Sequence, residues 1–271
     1  MTGLRHPPDG RRWGFHLVLA VLGSTVVLLI VAPLIGMMVA TNLSDLTAAA
    51  LDRQVLDSLR LTLMAAFGAT VACAVGGVPL AWLLARRRFR GRSLLLAVLD
   101  LPIVIPHVAA GIALLTVLGR HSLIGRLTDG GFVGTTVGIG AAMAFVSIPF
   151  LLNSAREGFE AIPIRIEHAA RSLGATPRTV FFTIALPLAW RSIVTGMTLM
   201  WARGISEFGA VVIIAYHPMT TPVLVYQRLN DFGLPSARAA AMLLVLVCVA
   251  VFVVLRLVSR PPGSKDRGRD A

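Results

Sequence analysis

The sequence predicts an all-α integral membrane protein with six transmembrane helices and a helical hairpin on the cytoplasmic side. The first observation is composition, because the 271 residues are 56% hydrophobic and 14% charged, against about 25% charged in an average soluble domain. The second is a mean hydropathy of +0.80, which leaves too few polar side chains to cover a soluble domain of this size. The third is the spacing of the charged residues, which leaves six long apolar segments.

Each apolar segment is long enough to cross the hydrocarbon core of a bilayer, which takes about 20 helical residues. The six segments are residues 15–41, 61–85, 94–119, 132–155, 192–216 and 239–255. The first greatly exceeds the apolar part of a signal peptide, roughly 7 to 15 residues, so we expect it to remain as a span. The chain therefore divides into a cytoplasmic segment 1–14, a six-span domain 15–258 and a disordered cytoplasmic tail 259–271.

The distribution of cationic residues orients the spans. Of the 25 Lys and Arg residues, 18 fall on the side that holds both termini, six fall on the other side, and Arg203 lies within a span. An excess of Lys and Arg marks the cytoplasmic side. Both termini are therefore predicted to be cytoplasmic, in a plasma (inner) membrane. We interpret the arginine cluster 86–92 as part of this topology signal, and not as a site for nucleic acid.

The sequence indicates a chain without catalytic residues, metal site or bound cofactor. Lys265 is the only lysine, and no Gly-Lys pair surrounds it, so the chain lacks a Walker A phosphate loop. Cys73 and Cys248 both lie in apolar segments, where a thiol usually packs as a small hydrophobic group. A membrane enzyme is excluded because no nucleophile, metal or cofactor constellation is present. A secondary transporter or channel is a weaker alternative, because neither an inverted repeat nor a buried carboxylate relay is evident.

The loop between the fourth and fifth spans, residues 156–191, is too long for a simple connector. Residues 160–173 are good helix formers, Gly174 is a natural helix stop, and Thr176-Pro177 is an N-cap followed by proline at the first helical position. A second helix is expected to run toward Leu186-Pro187. Such an amphipathic hairpin either lies on the membrane or docks into a groove of a partner.

Four ionisable residues inside the spans would be costly to expose to lipid. They are Asp100, His107, Arg203 and Glu207. Arg203 and Glu207 are four residues apart and can neutralise each other on one helical face. Either this ion pair fixes the fifth span, or it supports a translocation path in which Ser206 and the backbone beside Gly209 supply weak hydrogen-bond donors.

The third span contains Pro102 and Pro106, which should break the helical hydrogen-bond ladder. The resulting kink in the third span either takes part in gating of the transport path or helps this span to pack against its neighbours. Asp100 lies toward the cytoplasmic end of this span, where capping or an ion pair is at least as reasonable as contact with a substrate.

One motif in the long loop resembles the EAA loop of permease subunits of binding-protein-dependent ABC importers. The matching positions are His168-Ala169-Ala170, Gly174 after three residues, Ile184 after nine, and Leu186-Pro187 after one. His168 stands where the family usually has glutamate, and Glu167 directly precedes it. The resemblance implies that this loop contacts an ATPase, with the contact made by Glu167 or His168.

Two further segments are similar to the third and fifth spans of molybdate, tungstate and sulfate permeases. They are residues 100–106 with Val108 and Gly111, and residues 203–210. The continuation through residues 211–224 is most similar to the molybdate/tungstate branch. His107 stands where these relatives commonly have a second proline.

The resemblance implies the type I importer permease fold and a transport subunit for molybdate or tungstate. It also implies a second permease copy, in a homodimer, and two separate ATPase subunits that bind ATP and Mg²⁺. An extracytoplasmic protein would deliver the oxyanion. The nearest alternative is an ABC importer of the same composition that transports sulfate or another anion.

Overall fold

The structure is a computed structural model that describes residues 10–128 and 131–258, and every regular element in these two ranges is helical. The predicted disordered tail 259–271 lies outside the described residues. The helices are α1 Gly10–Ala40, α2 Leu43–Leu51, α3 Arg53–Arg86, α4 Arg92–Val104, α5 His107–Leu118, α6 Leu123–Leu127, α7 Thr136–Glu160, α8 Ile164–Ser172, α9 Pro177–Val180, α10 Leu186–Ile205, α11 Gly209–Ile214, α12 Thr221–Phe232 and α13 Leu234–Val258. A π-helical turn, Phe181–Ala185, joins α9 to α10.

Five stretches of helix in the described chain are individually long and apolar enough to cross a membrane. They are α1, α3, α7, the run from α9 through α10, and α13. The pair α4 and α5 supplies a sixth span if it is counted as one, although its two halves are bent by 113°. Five of the six predicted spans therefore correspond to continuous helices, and the third corresponds to this bent pair.

The core is formed where α7 packs between α3 and α10. Buried small residues on all three helices, such as Ala81, Ala155 and Ala189, allow the backbones to approach closely. A Cβ on Gly196 would lie only 2.9 Å from the Cβ of Ser154. Close packing of this kind holds membrane helices together, because burial of apolar surface gives no driving force within lipid. In contrast, the apolar side chains of α1 are exposed over most of its length.

At the end of the bundle where α3 begins, Asp52 connects three elements. Its carboxylate caps α3 by accepting from the Gln54 amide at 2.8 Å, and it accepts from the Nη2 of Arg228 on α12 at 2.5 Å. The hydrogen bond from Arg228 is the largest factor that lowers the pKa of Asp52 below its usual value. Deeper in the bundle, Thr62 of α3 accepts from the amide of Thr221 at the start of α12.

Candidate functional site

The loop at residues 156–191 was predicted to contain a helical hairpin, and the structure shows one. We call residues 161–185 the hairpin. Helix α8 ends at Gly174, whose φ of 91° lies in the left-handed region. The Ala175 amide donates to the carbonyl of Ala170 at 3.0 Å, and the Gly174 amide donates to that of Arg171 at 2.9 Å. This pair of bonds defines a Schellman stop, which favours glycine. Thr176 then caps the next helix by accepting from the amide of Thr179 at 3.2 Å.

Glu167 fastens the hairpin to the bundle. Its carboxylate is 1% exposed and accepts from the Nε of Arg86 at 2.7 Å. The Nη2 of Arg86 also donates to the carbonyl of Ile162 at 3.2 Å. Glu167 therefore contacts the last residue of α3 and is not available on the surface of the hairpin.

A second ion pair lies beside the first. Arg92, at the start of α4, donates to the carboxylate of Glu160 at the end of α7 at 2.9 Å. Its Nε also donates to the carbonyl of Leu84 at 2.9 Å. Arg86 and Arg92 therefore have structural contacts that the sequence analysis missed, because it interpreted the arginine cluster only as a topology signal.

The remaining EAA-type positions have different surroundings. His168 and Ala169 are exposed, whereas Ala170 is half-buried against the bundle. Ile184 and Leu186 are half-buried in the π-helical turn and the start of α10, and Pro187 is exposed. The two candidates for the contact to an ATPase were Glu167 and His168. Glu167 is buried, whereas His168 is exposed.

The predicted boundary between the hairpin and the fifth span is wrong. Helix continues without a break from Pro177 to Ile205, over 29 residues. A proline inside an α-helix clashes with the carbonyl four residues earlier. Before Pro187 the chain adopts the wider π-helical turn, in which the Leu186 amide donates to the carbonyl of Phe181. This turn moves the preceding carbonyls and allows the helix to continue through Pro187.

The predicted fifth span also ends earlier than residue 216. Helix α10 stops at Ile205, and α11 begins at Gly209. Glu207 lies in the intervening break and is 1% exposed. Its Oε2 lies 3.1 Å from the Nη2 of Arg203, and its Oε1 accepts from the Ala210 amide at 2.9 Å. The predicted pairing of Arg203 with Glu207 is therefore present, although Glu207 is outside the regular helix.

His107 joins the same group from the third span. Its Nδ1 lies 2.8 Å from the Oε2 of Glu207, and its Nε2 lies 2.9 Å from the Nη2 of Arg203. The same Nη2 lies 3.0 Å from Nδ1, so the guanidinium contacts the imidazole at both ring nitrogens. We call Arg203, Ser206, Glu207 and His107 the helix-break network.

Two helix breaks meet at this network. His107 is the first residue of α5, directly after the break between α4 and α5, and Glu207 lies in the break between α10 and α11. A Cβ on Gly209 would lie 2.7 Å from the Cβ of His107. Only glycine therefore allows the two chain segments to approach this closely.

One side of the helix-break network is open. The side chains of Arg203 and His107 are 26% and 39% exposed, and Ser206 is exposed beside them. The Nη1 of Arg203 donates to the Ser206 hydroxyl at 3.3 Å. The Ser206 hydroxyl itself donates to the carbonyl of Arg203 at 3.0 Å. The open side therefore presents mainly the N–H groups of the guanidinium, while the buried carboxylate balances its charge.

The two prolines of the third span differ in their effect. Helix α4 continues through the buried Pro102 and ends at Val104, so the expectation that Pro102 breaks the span is wrong. The break coincides with Pro106, the N-cap of α5. Within residues 10–128 and 131–258, Asp100 makes neither a cap nor a direct ion pair, and its carboxylate accepts from the side-chain amide of Asn153 on α7 at 2.7 Å.

A bundle of six spans with two broken helices and a helical hairpin attached to one of its spans is typical of a membrane transport subunit. The chain belongs to the family described as binding-protein-dependent transport system inner membrane component, whose model matches residues 77–261. It is therefore a multi-pass membrane protein and a permease-type subunit.

Curated relatives cover nearly the whole chain. It is 41% identical over 249 residues to the molybdate/tungstate transport system permease protein WtpB of Pyrococcus abyssi, covering 91% of this chain and 96% of the relative. The protein of the same name from Methanocaldococcus jannaschii is 38% identical, covering 92% and 98%. The sulfate transport system permease protein CysT of Salmonella typhimurium is 35% identical, covering 76% and 78%.

Solved structures share the fold. A bacterial ABC transporter involved in the import of the acidic polysaccharide alginate matches with a TM-score of 0.71 and 16% identity, covering 93% of this chain and 96% of that chain. An inward-facing structure of the MetNI methionine ABC transporter matches with a TM-score of 0.61 and 18% identity, covering 76% and 95%. These similarities show a shared fold.

Proposed function

We propose that the chain is the membrane-spanning subunit of an ABC importer for molybdate and tungstate. The observation that carries this proposal is the 38–41% identity, over about nine-tenths of the chain, to permeases named for these two oxyanions. The sulfate permease is less similar and matches a smaller share of the chain. Sulfate transport is therefore the second candidate.

The proposed assembly contains two copies of this chain, two ATPase subunits and an extracytoplasmic protein that delivers the oxyanion. ATP and Mg²⁺ bind to the ATPases. Both termini and the hairpin lie on the cytoplasmic side, in agreement with the excess of arginine there. The hairpin, which contains the EAA-type motif, contacts the ATPase.

The path of the oxyanion runs beside the helix-break network. The partly exposed guanidinium of Arg203 can form transient hydrogen bonds with a tetrahedral dianion, and the exposed Ser206 hydroxyl lies beside it. The buried carboxylate of Glu207 keeps the net charge of the network near zero. Weak contact of this kind favours release, whereas an uncompensated cluster of cations would hold a dianion in the membrane.

The continuous helix from Pro177 to Ile205 connects the hairpin to this path. At 1.5 Å per residue it spans roughly 40 Å. Movement of the hairpin on closure of the ATPases therefore displaces the end of α10, next to Arg203. This is a population shift, in which ATP favours one of two arrangements of the same spans.

Uptake in reconstituted vesicles tests the proposal. The chain is combined with its ATPase and delivery protein, and uptake of molybdate, tungstate and sulfate is measured with and without ATP. We expect uptake of the first two oxyanions that requires ATP. A delivery protein engineered to bind sulfate, with its docking surface kept, should then lead to sulfate uptake. Delivery of sulfate that stimulates ATP hydrolysis without uptake would show that the permease has a filter of its own.

A further inference from the structure

The surface of the hairpin differs in charge from what an EAA-type loop with a glutamate at position 168 would present. Residues 161–185 contain one acidic residue, Glu167. That carboxylate is buried and paired with Arg86. Every charged side chain that the hairpin exposes is therefore cationic.

The cationic side chains surround the outward face of α8. Arg165, Ala169 and Ser172 lie opposite Glu167 on a helix of 3.6 residues per turn, and His168 flanks them. Arg165, His168 and Ser172 are all exposed. Arg171 and Arg178, also exposed, lie on either side of the Gly174 turn. The small side chains of Ala169 and Ser172 leave the centre of this face flat, so a partner surface can approach the backbone closely.

An apolar side chain projects at the tip. Leu173, directly before Gly174, is 90% exposed. A large apolar side chain that is almost fully exposed at the end of a helix is well placed to fill a pocket of a partner. The hairpin thus combines an apolar contact at its tip with a cationic border around the outward face of α8.

We propose that the ATPase surface that receives this hairpin is an acidic groove with an apolar pocket for Leu173. The inference rests on the proposed function, in which the hairpin docks on an ATPase. It adds the chemistry of the partner, since a cationic face is best matched by carboxylates and is repelled by a cationic groove. Two large apolar side chains of α8, Ile164 and Ile166, are 48% and 41% exposed. At about 100° per residue they lie to the sides of the face formed by Arg165, Ala169 and Ser172. That face is therefore small and cationic, which favours a protein groove over burial in the membrane interface.

Charge reversal on the hairpin tests this proposal against a matched control. The double variant Arg165→Glu with Arg171→Glu changes the hairpin. The control, Arg88→Glu with Arg90→Glu, changes the same number of exposed arginines in the loop between α3 and α4. Association of the purified permease with its ATPase is measured in detergent at several salt concentrations. We expect the hairpin variant to bind about tenfold more weakly or worse, and the control to bind like the wild type.

The salt dependence gives a second readout. Attraction between exposed opposite charges is screened at high ionic strength. The wild-type affinity should therefore fall as salt rises, and the hairpin variant should lose this dependence. Leu173→Ala should weaken binding while it leaves the salt dependence unchanged.

The possible results separate this proposal from the proposed function. If charge reversal has no effect while Leu173→Asp abolishes association, the hairpin docks but the groove is not acidic, and the proposal is wrong. If neither change affects association, docking through the hairpin is itself wrong. If charge reversal weakens association only in bilayers with anionic lipid and not in detergent, the cationic face binds the membrane surface, which also overturns the proposal.

Discussion

The Nδ1 of His107 lies 2.8 Å from the carboxylate of Glu207, so the breaks of two different spans are joined by one contact. The same carboxylate accepts from the Ala210 amide and lies 3.1 Å from Arg203. Each of these groups would be costly to bury alone. Together they place opposite charges next to each other and hold two irregular backbone segments within the bundle, where irregular backbone requires protein partners.

Glu207→Gln should destabilise the bundle, because it removes the charge that balances Arg203. We expect a loss of about 2 kcal/mol in the free energy of unfolding, below that for a fully buried pair because Arg203 is about a quarter exposed. Thermal unfolding in detergent measures the loss. Glu157→Gln, which changes an exposed carboxylate at the end of α7, serves as the control. Equal unfolding temperatures for the two variants would contradict the assigned role of Glu207.

His107→Pro should separate the backbone role of this position from its side-chain role. Proline is tolerated at the first position of a helix, where the N–H has no partner within the helix, so α5 should still form. The contacts to Glu207 and Arg203 are lost, and a hydrogen bond to a charged group is worth about 2 kcal/mol.

His107→Gln provides the comparison, because an amide can still donate to the carboxylate. We expect it to keep more stability and more ATP-driven uptake than His107→Pro. If the proline variant matches the wild type in both measurements, the His107 side chain has no role in the network.

These contacts also show what could be predicted from the sequence. The helix stop at Gly174 and the pairing of Arg203 with Glu207 depend on residues close together in the chain, so local rules found them. The pairing of Arg86 with Glu167 depends on how α8 packs against the end of α3, which no local pattern encodes. A usable signal did exist for His107, because ionisable residues in spans usually pair with one another, and Arg203 and Glu207 were already predicted to share a helical face.

The helix boundaries near residues 187 and 206 were wrong for a similar reason. The second helix of the hairpin was expected to run toward Leu186-Pro187, and the fifth span to begin at residue 192, but a π-helical turn allows one continuous helix through Pro187. The sequence at Ser206 contains no proline, yet the helix ends there. Its end is stabilised by contacts to Glu207 from α5 and α11, which only the packed bundle supplies.

Glu167→Gln should uncouple the hairpin from the spans. Glu167 and Arg86 are both nearly inaccessible, and loss of one partner from a buried ion pair costs about 3 kcal/mol or more. We expect a lower unfolding temperature and ATP hydrolysis that no longer drives uptake. His168→Gln, at the adjacent exposed position, should leave the unfolding temperature unchanged. A larger drop in unfolding temperature for His168→Gln than for Glu167→Gln would mean that His168, and not Glu167, makes the structural contact.

Gly174→Val should strain the turn of the hairpin without a steric clash. A Cβ at this position meets no atom within 4 Å, so the penalty comes from the left-handed backbone alone, at about 1–2 kcal/mol. Asparagine tolerates this conformation better than other side chains, and Gly174→Asn is therefore the control. We expect membrane insertion of both variants and loss of transport-coupled ATPase activity in the valine variant. Normal coupling in the valine variant would mean that the turn geometry does not matter for docking.

Ser206→Cys should report on the path beside the helix-break network. The Ser206 side chain is exposed at the end of α10, and α10 is continuous with the hairpin, so its surroundings should change when the ATPases close. In a background with Cys73 and Cys248 replaced by alanine, a small water-soluble thiol reagent should label residue 206 in reconstituted vesicles. The labelling rate should differ between the nucleotide-free and ATP-bound states. Ser147→Cys, at a buried position of α7, should remain unlabelled in both states, which shows that the reagent does not enter the packed core. Complete protection of residue 206 in every nucleotide state would mean that water does not reach this position, and the path of the oxyanion would have to lie elsewhere.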